Sequence, residues 1–239
     1  MKWLRRIIVG LVALVAVAYA AGAGYLYVFQ RDFQYEPEGK FLALGETLLT
    51  TAEVVEIPTS DNGRIRGWHA EPAPGKPVIV YYKGNSDSFS TEHVRYEQFV
   101  ADGFGFLAFD YRGFPASPGV LNQDNVLKDA IAAFAFAQTK GFPLVIWGRS
   151  LGSGLAASLA AQEQPDLTLL VSPYRSMAAL AAYHYPWVPS ALLRYKLRTD
   201  QVLARIERPV LLLHGDKDQL IPVSHSHELA EGAPGARVV

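Results

Sequence analysis

The stretch WGRSLGSG, residues 147–154, follows directly on the apolar run PLVI. A serine flanked by glycines at the end of a buried strand admits two readings. Ser150 is either a nucleophile displayed on a tight strand-to-helix turn or a serine that caps the helix after it. Gly148 and Gly152 alone are a chance-prone pattern, and their placement, with a strand before and a helix after, weighs between the two readings. A turn sharp enough to raise a side chain above the sheet edge leaves no room for Cβ atoms beside the neighbouring strand and helix. That argument favours the nucleophile. The N–H of Leu151 would then sit at a helix N-terminus, where partial positive charge favours an oxyanion.

Working outward, strand-like and helix-like segments alternate. EVVEIPT and RIRGWHAEP flank SDNG and read as an antiparallel hairpin. KPVIVYY, FGFLAFDYRG, PLVIWG, LTLLVSP and PVLLLHG read as buried strands, and ARVV as the start of another. TEHVRYEQFVADG, NVLKDAIAAFAFAQTKG, SGLAASLAAQEQ and VSHSHELAEG carry a helical period between them. The expected fold is α/β: a doubly wound, mostly parallel sheet with an antiparallel edge hairpin, whose chemistry sits at the carboxyl ends of the strands. Residues 176–208, with AAYHYPWVPSALLRYKL, interrupt the alternation and read as a lid-like insertion.

Residues 1–6 are basic, with Lys2, Arg5 and Arg6. Residues 7–29 carry no charge and are long enough to span a bilayer as a helix. The basic flank predicts a single-pass anchor with a cytoplasmic N-terminus, so the domain is expected outside the cytoplasm. A cleaved signal peptide ending near Ala18–Ala20 is the alternative. Residues 30–48 read as a polar linker and 49–239 as the catalytic domain. The 22 basic and 23 acidic residues leave no excess charge for nucleic acid. The chain has no cysteine, hence no disulfide, thiolate metal site or cysteine nucleophile. No metal or cofactor is expected, since neither zinc-site spacing nor a dinucleotide glycine pattern occurs.

Asp218, in the loop after PVLLL, is the candidate acid, with Asp216 as competitor. The loop YYKGN is expected to supply a second oxyanion donor, the N–H of Asn85. These two donors and Ser150 suit cleavage of an ester, thioester or amide acyl bond. A membrane-anchored, non-catalytic fold that binds a ligand or partner is the alternative.

YVFQRDFQYEP, KGN, DYRGFPASPG, GRSLGSG and HGDKDQLIP together resemble the α/β-hydrolases, in particular the membrane-anchored, serine-aminopeptidase-like group that includes the protein depalmitoylases. The resemblance runs from about residue 25 onward. It implies a Ser nucleophile at Ser150, an acid at Asp218 and a catalytic His after the last strand. Lys83 stands where the family usually has His. Of the six histidines, His69 falls on the hairpin, His93 on a helix, His184 in the lid and His214 at a strand end. His225 and His227, two residues apart, read as an exposed first helical turn. The expectation is that the catalytic His lies beyond Val239 and that the chain stops inside its last strand.

Overall fold

The run Val78–Tyr82 shows how the sheet is built. Successive side chains of a strand face opposite ways, and Val78, Val80 and Tyr82 enter one core while Ile79 and Tyr81 enter a second on the other face. A strand buried on both sides needs helices on both sides. A computed structural model describes residues 2–239 and bears out this architecture.

A helix, α1 (Lys2–Gln34), leads into strands β1 (Glu53–Pro58), β2 (Arg64–Ala70) and β3 (Val78–Tyr82). Helix α2 (His93–Ala101) precedes β4 (Gly105–Phe109), α3 (Gln123–Gln138) precedes β5 (Leu144–Arg149), and α4 (Leu151–Glu163) precedes β6 (Leu167–Val171). After β6 come α5 (Met177–His184) and the single turn α6 (Thr199–Val202), then β7 (Val210–Leu213), α7 (Ser224–Glu231) and β8 (Ala236–Val238). The sheet order is β1-β2-β4-β3-β5-β6-β7-β8. The β1–β2 and β2–β4 pairs are antiparallel, and every other pair is parallel. α2 covers one face with Tyr96 and Phe99, whose partners include Trp68, Tyr81 and Phe106. α3, α4 and α7 cover the other.

Local chemistry sets the boundaries. α3 begins where the Asn122 side chain accepts from the Asn125 N–H at 2.9 Å, and α5 where Ser176 accepts from Ala179 at 3.0 Å. α1 runs five residues into the stretch read as linker. Gln30 and Gln34 share a face with Ala23 and Leu26, and that face is covered by the domain while the rest of the helix is exposed. The shift from an apolar to a half-polar composition changes what surrounds the helix, not the helix itself.

The turn between β5 and α4 fixes the centre of the sheet. A Cβ on Gly148 would lie 2.6 Å from the Gly152 carbonyl oxygen, and one on Gly152 would overlap the carbonyl oxygens of Tyr82 and Lys83. Gly152→Ala is therefore expected to destabilise the fold by about 1–3 kcal/mol or more, since backbone must move to admit the methyl. A urea melt that matches the wild type would contradict this.

Candidate active site

Ser150 has φ 50° and ψ −119°, a conformation that non-glycine residues rarely adopt. The turn is held from both sides. The Ser150 N–H donates to the Val171 carbonyl at the end of β6 (2.9 Å), and the Ser150 carbonyl accepts from both the N–H (2.9 Å) and the hydroxyl (2.7 Å) of Ser153. The Ser150 hydroxyl itself has no hydrogen-bond partner among the described residues, and it lines a pocket of about 520 Å³. Leu151 is the first residue of α4, so its N–H has no partner within the helix.

The KGN loop lies against this turn, with Gly84 only 3.7 Å, measured from an added Cβ, from the Ser150 Cβ. Asn85 lines the same pocket, and its side-chain oxygen accepts from the Glu36 N–H at 3.3 Å. Lys83, fully buried, organises the loop. Its ammonium donates to the carbonyls of Gly84 (3.1 Å), Ser86 (3.3 Å) and Asp87 (2.9 Å), and sits 3.6 Å from the centre of the Phe114 ring. Burial pulls the Lys83 ammonium down to about 8, opposed by the charges of Asp110, Glu92 and Asp87. Asp110, 3.9 Å away, is itself pushed up by burial and accepts from the Phe89 and Ala116 N–H groups. The sequence marked Lys83 as a departure. Its role as a three-pronged clamp needed the carbonyl geometry.

Asp218 stands in the loop after β7, two strands from Ser150. Its Oδ1 accepts from the N–H groups of Leu220 and Ile221, each at 2.9 Å. Partial burial pushes this carboxyl up. The Ile221 N–H, the Ser172 hydroxyl, the Leu220 N–H and nearby His214 outweigh it and hold the group below the usual carboxylate range. Asp218 is therefore an anion at neutral pH. Asp216, the competitor, is exposed in the same loop. His214 is a structural post: its ring contacts the Ser226 hydroxyl and the Ile221 carbonyl, each at 2.7 Å, and its Nε2 is 3.6 Å from Asp218.

The remaining histidines divide differently from the sequence expectation. His225 is buried rather than exposed, because the first turn of α7 packs its ring under Arg175, whose N–H donates to Nδ1 at 3.0 Å. His227 is exposed, as two residues' separation on a helix requires. His69 is buried on β2, and His93 pairs with Glu97 on α2. His184 alone among them lines the Ser150 pocket, with its Nε2 on the Leu220 carbonyl at 2.8 Å. Among the described residues no imidazole bonds to the Ser150 hydroxyl. No cluster of three or more metal-ligating side chains occurs among them either.

The pocket has one wall that the sequence reading missed. Besides Ser150, Asn85 and Leu151, and Leu180 and Tyr185 of the insertion, it is lined by Ala23, Leu26 and Gln34 of α1. The available signal was the spacing of Ala23, Leu26, Gln30 and Gln34, one stripe of a helix that otherwise reads as uniformly apolar.

Comparison with known proteins agrees with this fold. A family described as an alpha/beta hydrolase domain matches residues 115–233. An uncharacterized protein of Mycobacterium tuberculosis is 31% identical over 232 residues, covering 93% of this chain and 82% of the relative. The lysophosphatidylserine lipase ABHD12 of Rattus norvegicus is 27% identical over 199 residues, covering 73% of this chain and 50% of the lipase. The Pyrococcus furiosus esterase Pf2001 superposes with a TM-score of 0.69 at 20% identity, covering 86% of this chain and 87% of the esterase.

His225 gives the site region a pH signature. Burial holds its imidazole below the ordinary value, against the attraction of Glu228 and with the help of Arg175, His214 and His184. The unfolded chain thus takes up the proton first as pH falls through about 6.5, and stability drops from there toward the folded-state value. His225→Gln, which keeps an acceptor for the Arg175 N–H, should show a shallower loss of urea resistance between pH 7 and 5.5. Parallel slopes for the two proteins would remove His225 as the source.

Proposed function

The chain belongs to the α/β-hydrolase superfamily, and from that premise we propose that it is a membrane-anchored serine hydrolase that cleaves acyl esters with an apolar acyl group. It is an enzyme of the esterase and lipase-like kind; the nucleophile, the bond and the location are the proposal. The observation that carries it is the conformation of Ser150. A positive-φ backbone is held at the head of α4, with the hydroxyl unpartnered in a pocket that Leu151 and Asn85 also line.

In this reading the Ser150 Oγ attacks the ester carbonyl as its proton passes to an imidazole. The carbonyl oxygen becomes an oxyanion held by the N–H groups of Asn85 and Leu151. The imidazolium, oriented by ionised Asp218, then protonates the departing alcohol. Water enters the acyl-enzyme by the same route in reverse and releases the acid. Chain order in the superfamily, Ser then Asp then His, supports an imidazole that follows Asp218 in sequence. None of the six histidines hydrogen-bonds the Ser150 hydroxyl, and this observation favours a second reading, a hydrolase fold that binds ligand without turnover.

An ester is preferred to an amide or thioester because of the esterase and lipase relatives. The lining from Leu26, Leu180 and Tyr185 suits an aliphatic chain and not a sugar or nucleotide. α1 is long and apolar enough to cross a membrane. With Lys2, Arg5 and Arg6 before its apolar run, the domain lies on the extracytoplasmic side.

Two experiments test these assignments. Ser150→Ala should cut hydrolysis of p-nitrophenyl esters by at least about a thousandfold and abolish fluorophosphonate labelling with little change in Tm. Residual activity within tenfold of wild type would remove Ser150 as nucleophile, and a wild-type protein that neither labels nor turns over would favour the binding module. For topology, protease added to intact spheroplasts should digest the domain. Its protection, or release as a soluble protein, would overturn the anchored extracytoplasmic arrangement.

A further inference from the structure

The length of α1 exceeds what a membrane requires. Its 33 residues make a rod of about 50 Å, whereas the hydrocarbon core is about 30 Å thick. Burial divides the rod at a definite point. Every residue from 2 to 21 is exposed, and these 20 residues span about 30 Å. From Gly22 onward one stripe is covered: Gly22 and Ala23, then Leu26, Gln30 and Gln34. The excess of about 20 Å is thus the part that packs on the domain. It is also the part that lines the Ser150 pocket, where Ala23 is the lining residue nearest the membrane end.

The insertion after β6 closes the other side. Gln30 grips it in both directions, donating to the Leu192 carbonyl at 3.3 Å and accepting from the Arg194 N–H at 2.7 Å. Lower on the rod, the Tyr19 hydroxyl donates to the Trp187 carbonyl at 3.0 Å. The insertion tip therefore reaches the level of the last exposed turn of α1. From Met177 to Leu193 it holds no formally charged residue, and Tyr183, Tyr185 and Trp187 at this tip are 58%, 47% and 55% exposed. Exposed aromatic rings on an uncharged tip, beside the outer end of a membrane-length helix, have the chemistry of a bilayer interface.

We propose that Gly22–Gln34 of α1 is one wall of an acyl channel whose mouth opens at the outer surface of the bilayer, and that the substrate is a long-chain acyl ester resident in that leaflet. This rests on the serine-hydrolase reading above. The acyl chain passes between α1 and the insertion at the level of Ala23 and Leu26, and the ester reaches Ser150 without crossing water. The Gln34 carboxamide, whose nitrogen and oxygen both lack a protein partner, lines the upper part of the same channel and is a ready contact for the polar end of the ester. The membrane-spanning helix is on this account a specificity element as well as a tether.

The test uses the full-length protein in phosphatidylcholine vesicles, with butyl and hexadecyl fluorophosphonate as probes of Ser150. In the wild type both probes should label. Ala23→Trp and Leu26→Trp narrow the proposed channel and should slow hexadecyl labelling at least tenfold more than butyl labelling. Val12→Trp, on the exposed part of the same helix, should change neither rate. Persisting butyl labelling also reports that each variant is folded. An equal effect on both probes, or none, would overturn the channel wall while leaving the hydrolase intact. Failure of both probes on the wild type would instead bring down the hydrolase reading and this inference with it. The source of substrate is read separately, using the absence of native cysteine. Trp187→Cys carrying an environment-sensitive fluorophore should be quenched by spin-labelled lipid at interfacial depth. Quenching only by aqueous iodide would show the mouth facing water, and the leaflet would be excluded as the source.

Discussion

The contact on which the site depends is backbone against backbone: the first turn of α4 pressed onto the carbonyls of Tyr82 and Lys83 at the end of β3. It is possible because residue 152 has no side chain. It brings the helix N-terminus, the left-handed Ser150 and the KGN loop within one residue's reach of each other. Everything polar nearby is arranged to keep that loop still. Lys83 spends its three donors on three loop carbonyls, and the Tyr111 hydroxyl donates to a fourth, that of Lys83 itself, at 3.2 Å. A fully buried ammonium is costly unless paired and hydrogen-bonded. Here the loop carbonyls, the Phe114 ring and Asp110 offset that cost, and the return is a fixed direction for the Asn85 N–H.

The fold was legible because its determinants are local. The alternation of two-sided apolar strands with amphipathic helices, the SDNG turn and the glycines at 148 and 152 each act within a few residues, and the sheet follows from them. Ser150 and its helix were legible for the same reason. What could not be read was pairwise chemistry between distant segments. Nothing in Lys83 announces three carbonyl partners. Nothing in SHSH says that His225 turns inward to meet the Arg175 N–H while His227 faces solvent. The helix at 2–34 was the larger omission. Its apolar run is so complete that composition assigns all of it to the bilayer, and only burial separates the first 20 residues from the thirteen that serve the domain.

The loop after β7 illustrates how a carboxylate, here the proposed acid Asp218, is kept charged by its neighbours. Two backbone N–H groups, the Ser172 hydroxyl and buried His214 surround Asp218. His214 is in turn fixed by the Ser226 hydroxyl of α7 and the Ile221 carbonyl. α7 thereby bears on Asp218 through Ser226 and His214, and separately on the segment after β6 through His225. The loop that holds Asp218 and the insertion that lines the pocket are joined by the His184–Leu220 bond.

The hydrogen bond from the Glu36 N–H to Asn85 continues α1 into the loop beside Ser150. In the proposed arrangement, a rod that lies in the lipid at one end and borders Ser150 at the other has only one angle to give. Helices accommodate a bilayer of different thickness by tilting. For this helix a tilt also moves a wall of the pocket and pulls on the Asn85 loop. The aperture available to an acyl chain then becomes a function of hydrophobic mismatch, and lipid composition enters the kinetics as a mechanical variable.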